Sequence, residues 1–212
     1  MIPVKGGDRV EVKLYLAESW QLKGCQEECL SALTAKRRAE AESFVKEEHR
    51  LLHCAAGLLL RCILGVKEDA DLRYGDYGKP ELADGDVHFS LSHAGHYAVL
   101  AVCDAPIGVD IEPVEKPQVL PRKMLREEEM CWLENNPSAE DFCLLWTRLE
   151  SALKADGCGL ALEKREFSLL ENAMPWHWET QIHDDHMITC AADCPITVKT
   201  HILRAERLLH IA

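Results

Sequence analysis

The sequence predicts an α+β protein, because strand-like and helix-like patterns come in separate blocks along the chain. Each half begins with a strand, continues through helices and returns to strands. The 212 residues are 47% hydrophobic, which is enough to bury a core, and their number fits one domain or two small fused halves. We therefore expect an α+β fold divided into residues 1–104 and 105–212.

The first half opens on a strand over residues 9–16, where apolar and polar side chains alternate. Apolar residues then recur at helical spacing over residues 26–64, and Gly65 ends this region. A polar loop at 74–80 leads to a β-hairpin with strands at 87–93 and 96–102. These patterns predict strand, helices and hairpin in that order.

The second half starts with a strand over residues 107–111, which Pro113 should end. Helical patterns follow at 120–133 and 139–155, and Gly157 stands in the usual stop position of the second. The rest, 167–212, resembles short strands joined by turns.

The charge balance argues against a nucleic-acid binder. Lys and Arg total 24 and Asp and Glu total 36, which gives a net charge of −12. The densest basic run is Lys36, Arg37 and Arg38, which is enough to hold one small phosphate but not a nucleic-acid backbone.

The sequence also argues against a membrane protein. The longest apolar run spans only residues 97–103, whereas a spanning helix needs about 20 apolar residues. Charged residues from Lys5 to Lys13 interrupt the region where a signal peptide would lie, so we expect a cytoplasmic protein.

The ten cysteines include no C-x-x-C pair, and the simplest expectation is ten reduced, mostly buried thiols. The weaker alternative is a zinc site, because Cys190 and Cys194 lie near His183 and His186 in the sequence.

The strand I-G-V-D-I-E at 107–112 carries two carboxylates on one face. Side chains alternate along a strand, so Asp110 and Glu112 point to the side opposite Ile107, Val109 and Ile111. Paired carboxylates are suited to Mg²⁺ that also contacts phosphate. The alternative is a solvated strand edge whose charges prevent aggregation.

The helix at 146–154 carries Glu150 and Lys154 four residues apart, while Trp146, Leu149 and Leu153 form an apolar stripe. For an isolated pair the usual explanation is a surface salt bridge worth about 0.2–0.5 kcal/mol. Ser92 and His93, at the end of a strand, could donate hydrogen bonds to an anion, although such a histidine is often only a surface residue.

Taken in order, these segments resemble the 4′-phosphopantetheinyl transferases of the surfactin-synthetase-activator type. The matching segments are Y-G-K-P at 77–80, F-S-L-S-H-A at 89–94, I-G-V-D-I-E at 107–112, a helix with Glu128 or Glu129, W-T-R-L-E-S-A-L-K at 146–154 and G-C-G-L at 157–160. The resemblance covers about residues 10–200, and the ordered set is more specific than any one segment.

The resemblance implies a pseudo-two-fold α+β fold with two similar halves and the active site between them. It implies that residues 1–104 hold the adenine and 3′-phosphate of coenzyme A and that residues 105–212 carry the magnesium and catalytic motifs. The implied reaction is Mg²⁺-dependent transfer of 4′-phosphopantetheine from coenzyme A to a serine of an acyl or peptidyl carrier protein, with release of 3′,5′-ADP. We expect a monomer that binds neither nucleic acid nor membrane.

By the same resemblance, Asp110, Glu112 and Glu150 are the magnesium ligands, and Asp110, Glu150 and Lys154 are the catalytic residues. Glu150 would reach the metal or act as the base, and Lys154 would neutralise a phosphate of coenzyme A. The implied coenzyme A contacts are completed by adenine-flanking and phosphate-binding residues: Lys79 and Pro80 for the adenine, and Ser92, His93, Lys36 and Arg37 for phosphates.

One position departs from the family pattern, because Leu149 stands where the family has lysine. The departure predicts a slow enzyme, and the alternative is a non-catalytic relative that only binds coenzyme A or a carrier protein. We expect Leu149→Lys to raise the transfer rate, unless Leu149 packs in the apolar stripe and a lysine there destabilises the helix.

Overall fold

The computed structural model describes residues 9–85, 87–115, 124–157, 167–170 and 175–211. The strands within these ranges are β1 (Val10–Glu18), β2 (Leu72–Tyr74), β3 (Pro80–Leu82), β4 (His88–Ala94), β5 (Tyr97–Cys103), β6 (Ile107–Pro113), β7 (His177–His183), β8 (His186–Ala192) and β9 (Ile196–Leu203). The α-helices are α1 (Gln26–Ser31), α2 (Ala35–Ser43), α3 (Glu47–Leu64), α4 (Glu127–Asn135), α5 (Ala139–Asp156) and α6 (Ala205–Ile211). This mixture confirms the predicted α+β class.

The strands form two main sheets and one small hairpin. The first sheet has the order β4-β5-β1-β9, the second has the order β6-β8-β7, and β2 pairs with β3. Neighbouring strands run antiparallel except for β1 and β9, which are parallel. The last strand of the chain therefore returns to the sheet in which the first strand lies.

The two main sheets share one buried core. Leu14 and Val99 of the first sheet pack in the same fully buried cluster as Val109 and Ile188 of the second. Apolar side chains at alternate positions along each strand supply this cluster, as a half-buried strand requires. The inner faces of the sheets hold each other in place.

Helices cover the outer faces. The apolar stripe of α3 packs on the first sheet, with Leu58 and Leu59 in one cluster with Leu100. In the same way, α5 packs on the second sheet, where Leu145 lies in one cluster with Ala191. The layers are thus helix, sheet, sheet and helix.

The edges of the two sheets meet at β4 and β6. The backbone N–H of Val109 donates to Ser90 Oγ over 3.0 Å, so a buried hydrogen bond joins the two edge strands. Gly108, next to it on β6, faces α5 so closely that a Cβ there would overlap the carbonyl oxygen of Ser151. The missing side chain lets α5 lie directly against β6.

Most predicted elements are confirmed, two differ, and the β2–β3 hairpin and α6 were not predicted. The single helical region at 26–64 is three helices, because the chain turns twice before α3 begins. The predicted helix at 120–133 begins later, since α4 starts at Glu127, and residues 120–123 lie outside the described part of the chain. The final helix α6 was not predicted; its Leu208 packs in the cluster beneath α3. The division at residue 104 stays a prediction.

The nine described cysteines are all free thiols. Cys190 lies in the inner core, where burial raises its pKa to about 12. Cys190 and His186 cannot share a zinc ion, because they are four residues apart on the extended strand β8, which is about 13 Å. Over the described ranges given above, no three His, Cys, Asp or Glu side chains are grouped so that they could hold a metal ion as they stand.

Leu149 lies in the core and not at the surface of α5. Its side chain is 2% exposed and packs in the cluster with Leu145, Leu153 and Trp178. The predicted apolar stripe is therefore correct for Leu149 and Leu153, whereas Trp146 lies at its edge. A lysine at position 149 would point into the core.

Leu149→Lys should consequently destabilise the fold. Burying a charge without a partner costs about 3 kcal/mol or more, so the melting temperature should fall by roughly 6–12 °C. Leu149→Met is the matched control, because methionine has nearly the length of lysine without its charge and should cost less than about 1.5 kcal/mol. A Leu149→Lys protein that melts like the Leu149→Met protein would contradict the burial of this side chain.

Candidate active site

A cavity of about 460 Å³ lies where β4 and β6 meet, between α2 and α3 on one side and α5 on the other. Its lining comes from both halves of the chain: Arg37, Glu40, His53, Leu91, Ser92 and His93 from the first, and Asp110, Glu112, Trp146, Glu150 and Lys154 from the second. The three carboxylates predicted from two separate motifs thus face one space.

Asp110 is the most buried charged side chain of the cavity wall, with 3% of its surface exposed. Its Oδ1 accepts hydrogen bonds from Lys154 Nζ over 2.6 Å and from Ser92 Oγ over 2.9 Å. Its Oδ2 is buried and has no hydrogen-bond partner among the described residues. Burial raises the pKa of Asp110, and Lys154 opposes that rise.

Glu112 and Glu150 complete the acidic end of the cavity. Glu112 Oε1 accepts a hydrogen bond from Trp146 Nε1 over 3.1 Å. Burial raises the pKa of both glutamates, and the charge of Asp110 raises each further. The carboxylates therefore repel one another in partly dehydrated surroundings, an arrangement that a bound cation would relieve.

The donor set fits a hard divalent cation. Carboxylate oxygens are the ligands that Mg²⁺ prefers, and the unpartnered Oδ2 of Asp110 leaves one buried acceptor unused. Among the residues that the structure describes, no three His, Cys, Asp or Glu side chains already stand in the arrangement of a metal centre. The residues thus fit a divalent cation by the kind of ligand atoms that they offer, and not by a preformed coordination geometry.

The part of the cavity formed by α2, α3 and β4, called here the basic end, holds Arg37, His53 and His93 together with the carboxylate of Glu40. Burial lowers the pKa of Arg37, and its Nε is buried without a hydrogen-bond partner among the described residues. His53 Nε2 lies 3.3 Å from Glu40 Oε2. Desolvation lowers the pKa of His93, and the nearby charges of Lys154 and Arg37 lower it further. This end can take up an anionic group.

Lys36 does not line the cavity, although it precedes Arg37 in the sequence. Its ammonium stands 3.8 Å from the centre of the Tyr74 ring. Neighbouring residues on a helix point about 100° apart, so only one of the two can face the cavity. The role of Lys36 as a phosphate ligand stays a prediction.

A second, smaller cavity of about 290 Å³ adjoins the first and shares Leu91, Glu150 and Lys154 with it. Tyr77, Pro80 and Phe89 give it an aromatic and apolar wall. Lys79 also lines it, but Lys79 Nζ donates to the carbonyl oxygens of Ala155 over 2.9 Å and Ile107 over 3.3 Å. Its ammonium therefore joins α5 to β6, and its stem and Pro80 form part of the wall.

Arg148 does not replace the cation that Leu149 lacks. Its Nη1 donates to the carbonyl oxygen of Leu169 over 2.6 Å, and its guanidinium lies 5.6 Å from the Trp178 ring. These contacts hold it on the core side of α5. Within the described wall of the first cavity, Lys154 is the only charged side chain that α5 adds to oppose the carboxylates.

Sequence reasoning missed four side chains of the cavity wall: Glu40, His53, Leu91 and Trp146. Trp146 could have been found, because the spacing Trp146, Glu150 and Lys154 places all three on one helical face. Glu40 and His53 lie on different helices, and nothing in their spacing relates them to the acidic motifs.

Carboxylates at one end of a cavity and a guanidinium at the other are typical of enzymes that act on phosphate groups with a divalent cation. The model of the 4′-phosphopantetheinyl transferase superfamily matches residues 106–191 of the chain, which include all three carboxylates and Lys154.

Individual relatives agree with this match. The 4′-phosphopantetheinyl transferase ffp of Bacillus subtilis is 31% identical over 152 residues, which cover 66% of this chain and 67% of the relative. Sfp of Bacillus subtilis strain 168 is 30% identical over 156 residues, 68% of each chain. For gsp of Aneurinibacillus migulanus, identity is 33% over 109 residues, which are 50% of this chain and 46% of that relative. The chain belongs to the 4′-phosphopantetheinyl transferase superfamily, and the resemblance seen in its motifs is confirmed.

Within the described part of the chain, no helix combines the length and the apolar composition needed to cross a bilayer.

Glu150→Gln should raise the melting temperature of the protein in metal-free buffer. A carboxyl group whose pKa is raised on folding binds its proton more tightly in the folded state, so its contribution to stability falls as pH rises above its ordinary value of 4.5. The gain from Glu150→Gln should therefore be absent at low pH, grow as the pH rises from about 4.5 through the raised pKa of Glu150, and stay constant above it. We would measure melting temperatures across that range.

The control for this comparison is Glu134→Gln, which removes an exposed carboxylate from α4. It should change the melting temperature little at any pH. A Glu150→Gln protein that melts below the parent at pH 8 would contradict the repulsion within the acidic end.

Proposed function

We propose that the chain transfers 4′-phosphopantetheine from coenzyme A to a serine hydroxyl of an acyl or peptidyl carrier protein, with 3′,5′-ADP as the second product. The observation that carries this proposal is the convergence of Asp110, Glu112, Glu150 and Lys154 on one cavity with Arg37 at its other end. The names of the relatives support the same transfer.

In the proposed reaction the serine oxygen forms a bond to the phosphorus on the pantetheine side, and the bond from that phosphorus to the oxygen of 3′,5′-ADP breaks. Asp110 and Glu112, with Glu150, would hold Mg²⁺. When bound, this ion would offset negative charge on the pyrophosphate oxygens. Lys154, on the same wall, is suited to pair with a phosphate oxygen.

Glu150 is also suited to accept the serine proton. Its carboxylate faces the cavity, and burial raises its pKa, which makes it a stronger base than an exposed glutamate. The hydroxyl would lose its proton as the new bond to phosphorus forms.

The remaining contacts would orient coenzyme A. Arg37 and His93 lie at the basic end of the first cavity, where they would stabilise an anionic phosphate. The apolar wall with Tyr77 and Pro80 in the second cavity is suited to an adenine ring. A monomeric state and a cytoplasmic location stay predictions.

The non-catalytic alternative is the second candidate, and it rests on one residue. That alternative rested on Leu149, and Leu149 packs in the core away from the cavity. What favours the enzyme is that Asp110, Glu112, Glu150 and Lys154 all line the cavity.

Asp110→Ala should abolish transfer in an assay with coenzyme A, Mg²⁺ and a panel of apo carrier proteins, read by intact mass. We expect one phosphopantetheine group per carrier with the parent protein, and a rate lower by at least about 1,000-fold with the variant. Asp110→Asn should lose transfer to the same extent, although it keeps the shape of the side chain and removes only its charge.

The control here is Asp104→Ala, which removes an exposed carboxylate in the turn before the same strand. It should transfer at the parent rate. If Asp110→Ala kept the parent rate and its dependence on Mg²⁺, the assignment of Asp110 to the metal would be wrong.

A further inference from the structure

A close ion pair in the active-site cavity joins Asp110, which the proposed function assigns to the metal, with Lys154, which it assigns to a phosphate. Lys154 Nζ lies 2.6 Å from Asp110 Oδ1, and it also donates to Ser92 Oγ over 2.8 Å. Ser92 in turn donates to Asp110 Oδ1. In this structure the ammonium thus holds one oxygen of the carboxylate whose other oxygen, Oδ2, is open to a cation.

An ammonium and a divalent cation cannot both stay close to one carboxylate without strong repulsion, least of all where water is excluded. Asp110 is 3% exposed, so little solvent screens this competition. Lys154 has somewhere to go, because 30% of its side chain is exposed and it lines both cavities.

We propose that Lys154 is an internal counter-cation, which neutralises Asp110 in the metal-free protein and moves to a phosphate oxygen of coenzyme A when a divalent cation takes its place. This inference rests on the proposed function. It adds that the divalent cation and coenzyme A bind cooperatively, because the phosphate accepts the ammonium that the cation displaces.

Ser92 takes a different part from the one expected of it. Its hydroxyl accepts a hydrogen bond from Lys154 Nζ and donates one to Asp110 Oδ1, so in this state it holds the two charges in place, and its role as a phosphate ligand stays a prediction. Ser92 is therefore a positioning residue for the ion pair in the metal-free protein.

The first test is the affinity of the protein for Mn²⁺ without coenzyme A, followed by the paramagnetic signal of free Mn²⁺. Lys154→Gln removes the competing charge and leaves a donor for Asp110. If the parent site is free of the ammonium about one-tenth of the time, the variant should bind Mn²⁺ about tenfold more tightly. Arg37→Gln removes a positive charge from the same cavity without touching Asp110, and should change the affinity less than about threefold.

The second measurement repeats the titration with saturating coenzyme A. In the parent, coenzyme A should strengthen Mn²⁺ binding, and in Lys154→Gln this strengthening should be smaller by a similar factor. Binding of Mn²⁺ by coenzyme A in solution is the same for both proteins and cancels in the comparison.

The inference would be overturned if the Lys154→Gln protein bound Mn²⁺ no more tightly than the parent. In that case, carrier modification by the parent would still support the proposed function. If the parent neither binds Mn²⁺ with coenzyme A nor modifies a carrier, both fail together.

A measurement on the parent protein covers the case in which the variant does not fold. An amine-reactive reagent, read by mass spectrometry, should label Lys154 slowly in metal-free buffer and faster with saturating Mn²⁺ alone. Equal labelling with and without Mn²⁺ would show that the ammonium does not leave Asp110.

Discussion

The close packing of α5 on β6 determines the geometry of the whole active site. Gly108 permits it, because any side chain there would overlap the backbone of α5 at Ser151. Two residues farther along β6 stands Asp110, and three residues farther along α5 stands Lys154, so the contact brings their charges together. Lys79 reinforces it with hydrogen bonds to both elements.

This packing assembles a cluster of charges that is unfavourable by itself. Asp110, Glu112 and Glu150 lose much of their hydration, and burial and mutual repulsion raise the pKa of the two glutamates. The fold holds them because the core on the other face of α5, which includes Leu149, supplies apolar burial. Because the framework is rigid, the carboxylates stay close together and are ready to bind a cation, as in other preorganised sites.

The acidic end could be predicted from sequence because it depends on local periodicity. Alternation along β6 puts Asp110 and Glu112 on one face, and helical spacing relates Glu150 to Lys154. The pairing of β9 with β1, the docking of α6, and the presence of His53 in the cavity depend on contacts between distant segments. No local pattern encodes them.

The same distinction explains Leu149. Its position next to Glu150 suggested a missing cation, but neighbouring residues on a helix point about 100° apart. The apolar stripe with Leu153 already predicts that Leu149 faces the core, and the packing of α5 on the second sheet agrees with it.

The most direct test is a crystal structure of the protein with coenzyme A and Mn²⁺, in which anomalous scattering locates the metal. The account predicts a manganese peak beside Asp110 and Glu112, the pyrophosphate against it, and Lys154 withdrawn from Asp110 toward a phosphate oxygen. A coenzyme A molecule bound outside the cavity between β4, β6 and α5, or a metal away from these carboxylates, would contradict it.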